Sequence, residues 1–71
     1  MEEHTVNMCW DDEAHVWYAV CDSIPLALES DSFDTLIKRV IVAAPEILIE
    51  NGAKTGSCRL HFKADYFECI A

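Results

Sequence analysis

One helical stripe constrains this chain more than any other feature. Phe33, Leu36, Ile37, Val40, Ile41, Ala44, Ile47 and Leu48 recur at i, i+3, i+4 and i+7 spacing. That spacing puts them on one side of an α-helix. The stripe must cover something apolar, and a sheet is the only candidate the rest of the sequence offers. One helix covers one face of a sheet. The other face must be polar, or it must find a partner.

The ends of the helix carry their own signals. Asp31 or Ser32 is expected to cap its start, and Asp34 puts negative charge in the first turn, at the positive end of the helix dipole. Asn51-Gly52 is a strong stop, because glycine accepts the left-handed conformation that closes a helix. Pro45 interrupts the pattern. It lacks an N–H and crowds the carbonyl of Ile41, so the helix is expected to kink there, or to stop and restart. In a straight helix Val42 and Ile49 lie opposite the stripe and point weakly to a contact surface.

Around the helix the period is two. Residues 5–10 (TVNMCW) and 16–21 (VWYAVC) read as strands, with the polar stretch Asp11–His15 as the turn of a hairpin. With a four-residue turn, Trp10 faces Trp17, Met8 faces Ala19 and Val6 faces Cys21 on one side. Asn7, Cys9, Val16, Tyr18 and Val20 then share the other side. Pro25 belongs to a loop, an edge or a strand start. Residues 26–30 (LALES) form a short third strand. After the helix, 57–64 (SCRLHFKA) forms the last strand, with Cys58, Leu60, Phe62 and Ala64 on one side and Arg59, His61 and Lys63 on the other. Tyr66, Phe67 and Ile70 make an apolar tail that is expected to pair with something. The order is β-β-β-α-β: an α+β fold with an antiparallel three-stranded meander, a fourth strand, and one Pro-kinked helix on one face.

Length and charge bound the function. At 71 residues the chain reads as one domain, 1–71, and 52% hydrophobic residues is rich for that size. A net charge of −8 argues against direct nucleic-acid binding, which needs Lys and Arg on phosphates. It suits a basic partner, although acidity also simply keeps a small apolar protein soluble. The first residues, MEEHTVNMCW, are acidic and lack the apolar core of a secretory signal. No apolar run approaches the ~18 residues of a membrane span. Cysteines 9, 21, 58 and 69 include no C-x-x-C and no zinc spacing. The expectation is a cytoplasmic protein with reduced thiols.

The segment that most resembles an active site is WDDEAHVW, residues 10–17. Metal-dependent nuclease chemistry needs carboxylates that converge from several elements. Asp11, Asp12 and Glu13 are consecutive, so they diverge along an extended chain, and a solvated turn explains them better. His15 reads as a polar turn residue. His4 and His61 could meet each other or Cys9 if the first and last strands pair, but scattered ligands make a poor metal site. A Trp10–Trp17 pair locks the hairpin more readily than it stacks a ligand. No catalytic, cofactor-binding or metal-ligating residues are expected, and the chain is not expected to be an enzyme.

The segment Trp17–Pro25, the short strand after it and S32-F-D-T-L-I-K-R-V40 resemble the HicB-like family of bacterial antitoxin domains. Trp10–Ala14, the break Ala44-Pro45-Glu46-Ile47-Leu48 and Asn51-Gly52 are similar to a set of stand-alone, uncharacterised HicB-like domains. Leu26 stands where that family usually has a glycine after the proline. The resemblance implies a truncated ribonuclease-H-like unit with the fourth strand beside the first. It also implies a toxin–antitoxin setting, in which the partner is a small basic RNA-cleaving toxin. The C-terminal DNA-binding domain of typical members has no counterpart in residues 1–71. The expectation is a homodimeric interaction module whose candidate interface is Val16, Tyr18 and Val20 on the uncovered face, with Tyr66 and Phe67 in the tail. The alternatives are a small-molecule- or metal-binding domain, or a subunit of a larger assembly.

Overall fold

A computed structural model describes residues 2–68 and 70. The strands are β1 (Glu3–Asp11), β2 (Val16–Cys21), β3 (Leu26–Ser30) and β4 (Arg59–Asp65), and the helix is α1 (Phe33–Glu50). The sheet order is β3-β2-β1-β4. β1, β2 and β3 pair antiparallel, as the meander requires. β4 lies beside β1 and runs parallel to it, after the crossover through α1. No described helix is long and apolar enough to cross a membrane.

The hairpin register is the one expected from alternation: Val6 pairs with Cys21, Met8 with Ala19 and Trp10 with Trp17. The Asp11 carboxylate accepts the backbone N–H groups of Glu13 at 3.0 Å and Ala14 at 3.2 Å. A side chain that bonds to the backbone just downstream is how aspartate builds a turn. His15 closes the loop at φ +55, in the left-handed region. Its ring meets Trp10 edge-on, with centroids 6.1 Å apart.

Ser32 is the helix cap, and its hydroxyl accepts the N–H of Thr35 at 3.3 Å. The helix then runs unbroken through Pro45 to Glu50, which removes the stop-and-restart alternative. Its end has the double closure of a glycine-terminated helix. Gly52 N–H donates to Ile49 O at 3.1 Å and Ala53 N–H to Leu48 O at 3.0 Å, with Gly52 at φ +96.

The core lies between α1 and one sheet face. Leu36, Val40, Ala44 and Leu48 form its helical ridge at a spacing of four. They pack with Val6, Met8, Ala19, Cys21, Ile24 and Leu26. Ile41 differs from the expected stripe, since it is 52% exposed. At 3.6 residues per turn it lies roughly 80° round the helix from the centre of that ridge, beyond the sheet's reach. Val42 and Ile49 are exposed on the outer side, as a straight helix predicts.

Candidate functional site

The candidate site is the sheet face that α1 leaves open. Alternation along the strands and the observed register assemble it row by row. Tyr18 is at its centre. It pairs with Cys9 on β1 and Glu29 on β3, and Cys9 pairs in turn with Asp65 on β4. One row along, Ala27, Val20, Asn7 and Lys63 are in register. Val16 closes the row at the hairpin, opposite Asp11.

The face is divided chemically. The β2–β3 half presents Val16, Tyr18, Val20 and Ala27, with the carboxylate of Glu29 beside Tyr18. The β1–β4 half presents Glu3, Thr5, Asn7, Arg59, His61 and Lys63, with one exposed ion pair from Arg59 to Glu3 at 3.5 Å. Tyr18 remains 37% exposed, while Val16 and Val20 are half-buried by their neighbours. The Tyr18 phenol is held above its ordinary range. Its hydrogen bond to Cys9 is the first cause, followed by charge on that thiol, desolvation, and the carboxylates of Asp11 and Asp65. The phenol therefore stays neutral through the physiological range. It offers a ring face and one polar tip, a side-chain chemistry common at protein interfaces.

The expected interface residues do not form one surface. Val16, Tyr18 and Val20 lie together on the open face. Tyr66 is drawn to the two tryptophans, with centroids 6.2 Å from Trp10 and 5.9 Å from Trp17. Trp10 and Trp17 pack at 5.7 Å and lie on the core side of the hairpin. Phe33 meets Trp17 edge-on at 4.7 Å. The start of the tail thus joins Phe33 of α1 in covering the tryptophans at this end of the sheet. Three rings this close fill the space between them, so they form a small satellite core rather than a ligand cage. Phe67 follows at 86% exposure. Cys69 lies outside the described residues.

The remaining chemical candidates separate as well. His4 is buried on the core side and pairs with Leu60, while His61 pairs with Thr5 and points to the open face. The two imidazoles are therefore on opposite sides of the sheet. Among the described residues no three His, Cys, Asp or Glu side chains gather in a metal-binding arrangement. Cys9, Cys21 and Cys58 are thiols. Sequence alone missed Ala27, Glu29 and Asp65 as members of the open face. The hairpin register reached only β1 and β2, and neither the β2–β3 nor the β1–β4 register follows from alternation.

Comparison with known proteins places the fold in a family. The family model described as "Domain of unknown function (DUF1902)" matches residues 3–69. The crystal structure of the hypothetical protein TTHA1013 from the extremely thermophilic bacterium Thermus thermophilus is similar at 30% identity and a TM-score of 0.73, covering 99% of each chain. No curated protein matches the sequence. With nearly its whole length matched, the chain belongs to the DUF1902 family.

Proposed function

We propose that this chain is a non-enzymatic, HicB-like protein-interaction module of the bacterial cytoplasm, homodimeric and antitoxin-like. In this reading its partner is a small basic protein. The observation that carries the reading is the row Val16–Tyr18–Val20, extended by Ala27, on a sheet face with no helix over it. Apolar residues clustered on an otherwise acidic molecule favour association through that half of the face. The net charge of −8 and the carboxylates Asp11, Asp12 and Glu13 at the hairpin tip favour a basic partner, because complementary fields speed its encounter.

Light scattering on the purified chain tests the dimer. The expected mass at micromolar concentration is twice that of one chain. Tyr18→Asp, which puts a carboxylate in the centre of the apolar row, is expected to return it to a monomer without loss of far-ultraviolet dichroism. A strict monomer for the unmodified chain at that concentration refutes the dimer. Calorimetric titration with a small basic protein encoded beside this gene tests the partner. Absence of such a gene, or of heat on titration, refutes the antitoxin-like role.

A further inference from the structure

At the end of the sheet away from the hairpin tip, a buried histidine meets an exposed serine. His4 is 7% exposed and is the one polar residue among the buried described side chains. Its Nδ1 is 2.6 Å from the Oγ of Ser23, in the turn between β2 and β3. Its Nε2 has no hydrogen-bond partner among the described residues, and the nearest carboxylate, Glu2 Oε2, is 3.6 Å away. The Cys21 Sγ is 3.3 Å from the same Ser23 Oγ.

Burying an imidazole in so small a core costs free energy that an apolar side chain would not. What the imidazole does depends on which nitrogen carries the proton, and the surroundings decide that. The Glu2 carboxylate favours the proton on Nε2, the nitrogen that faces it. Nδ1 is then a lone pair aimed at Ser23, and the serine hydroxyl donates to it. The Cys21 thiol completes the chain by donating to the serine oxygen. The serine proton then points at a base, while Nε2–H faces the Glu2 carboxylate across 3.6 Å without a hydrogen bond. A hydroxyl on a base is the arrangement that activates a nucleophile, and here a carboxylate lies near the base's other nitrogen. The base is shielded from water, while Ser23 itself is exposed to a reactant.

We propose that Ser23 is a covalent acyl-acceptor site, with His4 as its general base and Glu2 as a positioning residue. In the step, Ser23 Oγ attacks the carbonyl carbon of an activated ester. A new oxygen–carbon bond forms, the ester's own carbon–oxygen bond breaks, and the leaving group departs as an oxyanion. The hydroxyl proton passes to His4 Nδ1 and then to solvent. The step ends at the acyl-serine. Glu2 and Asp22 flank the serine, so the donor is a neutral or cationic ester rather than an anionic one.

The test uses p-nitrophenyl acetate on the full chain, with peptide mapping by mass spectrometry. Neutral hydroxylamine beforehand strips thioesters from the cysteines and leaves oxygen esters. The expected result is an acetyl ester on Ser23 and none on Ser30, Ser32 or Ser57. Ser23→Ala is expected to lose it. His4→Gln is expected to slow it by about 100-fold or more, the usual scale of general-base catalysis. Because His4 is buried and its replacement risks the fold, Glu2→Gln at the surface gives a second reading. It is expected to slow acetylation several-fold. The proposal is overturned by no ester on Ser23, by equal labelling of all four serines, or by a Glu2→Gln acetylation rate equal to the parent's.

Discussion

Gly56 packs against the helix at Pro45 so closely that a side chain does not fit. A Cβ built there would lie 2.7 Å from Pro45 Cβ and 3.0 Å from both the Cα and the carbonyl oxygen of Pro45. The shortest contact is roughly 0.8 Å inside the 3.5–4.0 Å optimum for two carbons. Two of the three obstructing atoms are backbone in the middle of an 18-residue helix, so they do not swing away. Gly56→Ala must therefore move the loop that carries the chain from α1 to β4. Overpacking of this kind costs about 1–3 kcal/mol. In a domain of this size that lowers Tm by roughly 4–8 °C per kcal/mol. Gly52→Ala supplies the contrast, because nothing lies within 4 Å of its Cβ but its φ is +96. It should lose about 1 kcal/mol through backbone conformation alone. Urea unfolding followed by tryptophan fluorescence measures both. The expected order is Gly56→Ala less stable than Gly52→Ala, and both less stable than the parent at an unchanged m-value. Gly56→Ala at parent stability would refute the close approach, and with it the path that sets β4 beside β1.

The exposed and buried parts of the expected helical stripe should respond differently to truncation. Leu36→Ala empties a fully buried site and is expected to cost about 2–5 kcal/mol in urea unfolding, whereas Ile41→Ala, on the exposed margin, should change stability by less than about 1 kcal/mol. The Tyr66 hydroxyl donates to Glu68 Oε2 at 2.7 Å, and that bond is the first cause holding its phenol above the ordinary range, ahead of desolvation and of charge on Glu68 and Asp12. Glu68→Ala is expected to return one of the two phenols toward its ordinary value in an absorbance titration at about 295 nm, and to leave Tyr18 where it was. A phenol pKa raised by folding contributes stability that is fully present below about pH 10, the unfolded value, and is lost as pH rises through the folded value. The loss of stability above about pH 10 should therefore be shallower in Glu68→Ala, and an unchanged limb would refute the coupling.

Much of this fold is legible in the sequence, because two local periods do most of the work. The period of 3.6 in residues 33–48 locates the helix and its core ridge. The period of two in residues 5–10 and 16–21, once the turn between them has four residues, sets a register in which every paired position sums to the same number. That register continued two residues past Cys21 puts His4 opposite Ser23, on the core side with Val6. The pairing was therefore present in the alternation even though His4 read only as a scattered metal ligand. Extending a register beyond the last obvious strand residue is the step that finds it. Three features had no such local signal. Pro45 argues for a break, yet the flanking apolar ridge, Val40 and Ala44 before it and Leu48 after it, is buried along one line and holds the helix through it. Ile41 fits the periodic pattern, but whether a marginal stripe position is covered depends on where the sheet ends. The destination of Tyr66 depends on where the end of β4 lies relative to Trp10 and Trp17, which is set only in three dimensions.

The placement of Tyr66 changes what the open face must do. If the tail had covered Val16, Tyr18 and Val20, the chain would have buried its apolar surplus internally and would need no partner. Instead the tail places its first aromatic residue on Trp10 and Trp17, on the core side, and leaves the β2–β3 half of the far face in solvent. The Trp10–Trp17 pair is thus more than a hairpin lock: it holds Tyr66, the first aromatic ring of the tail, away from the other surface. The segment WDDEAHVW therefore shapes both faces of the sheet at the hairpin end. Asp11 turns the chain, the tryptophans hold Tyr66 on one side, and Val16 begins the apolar row on the other.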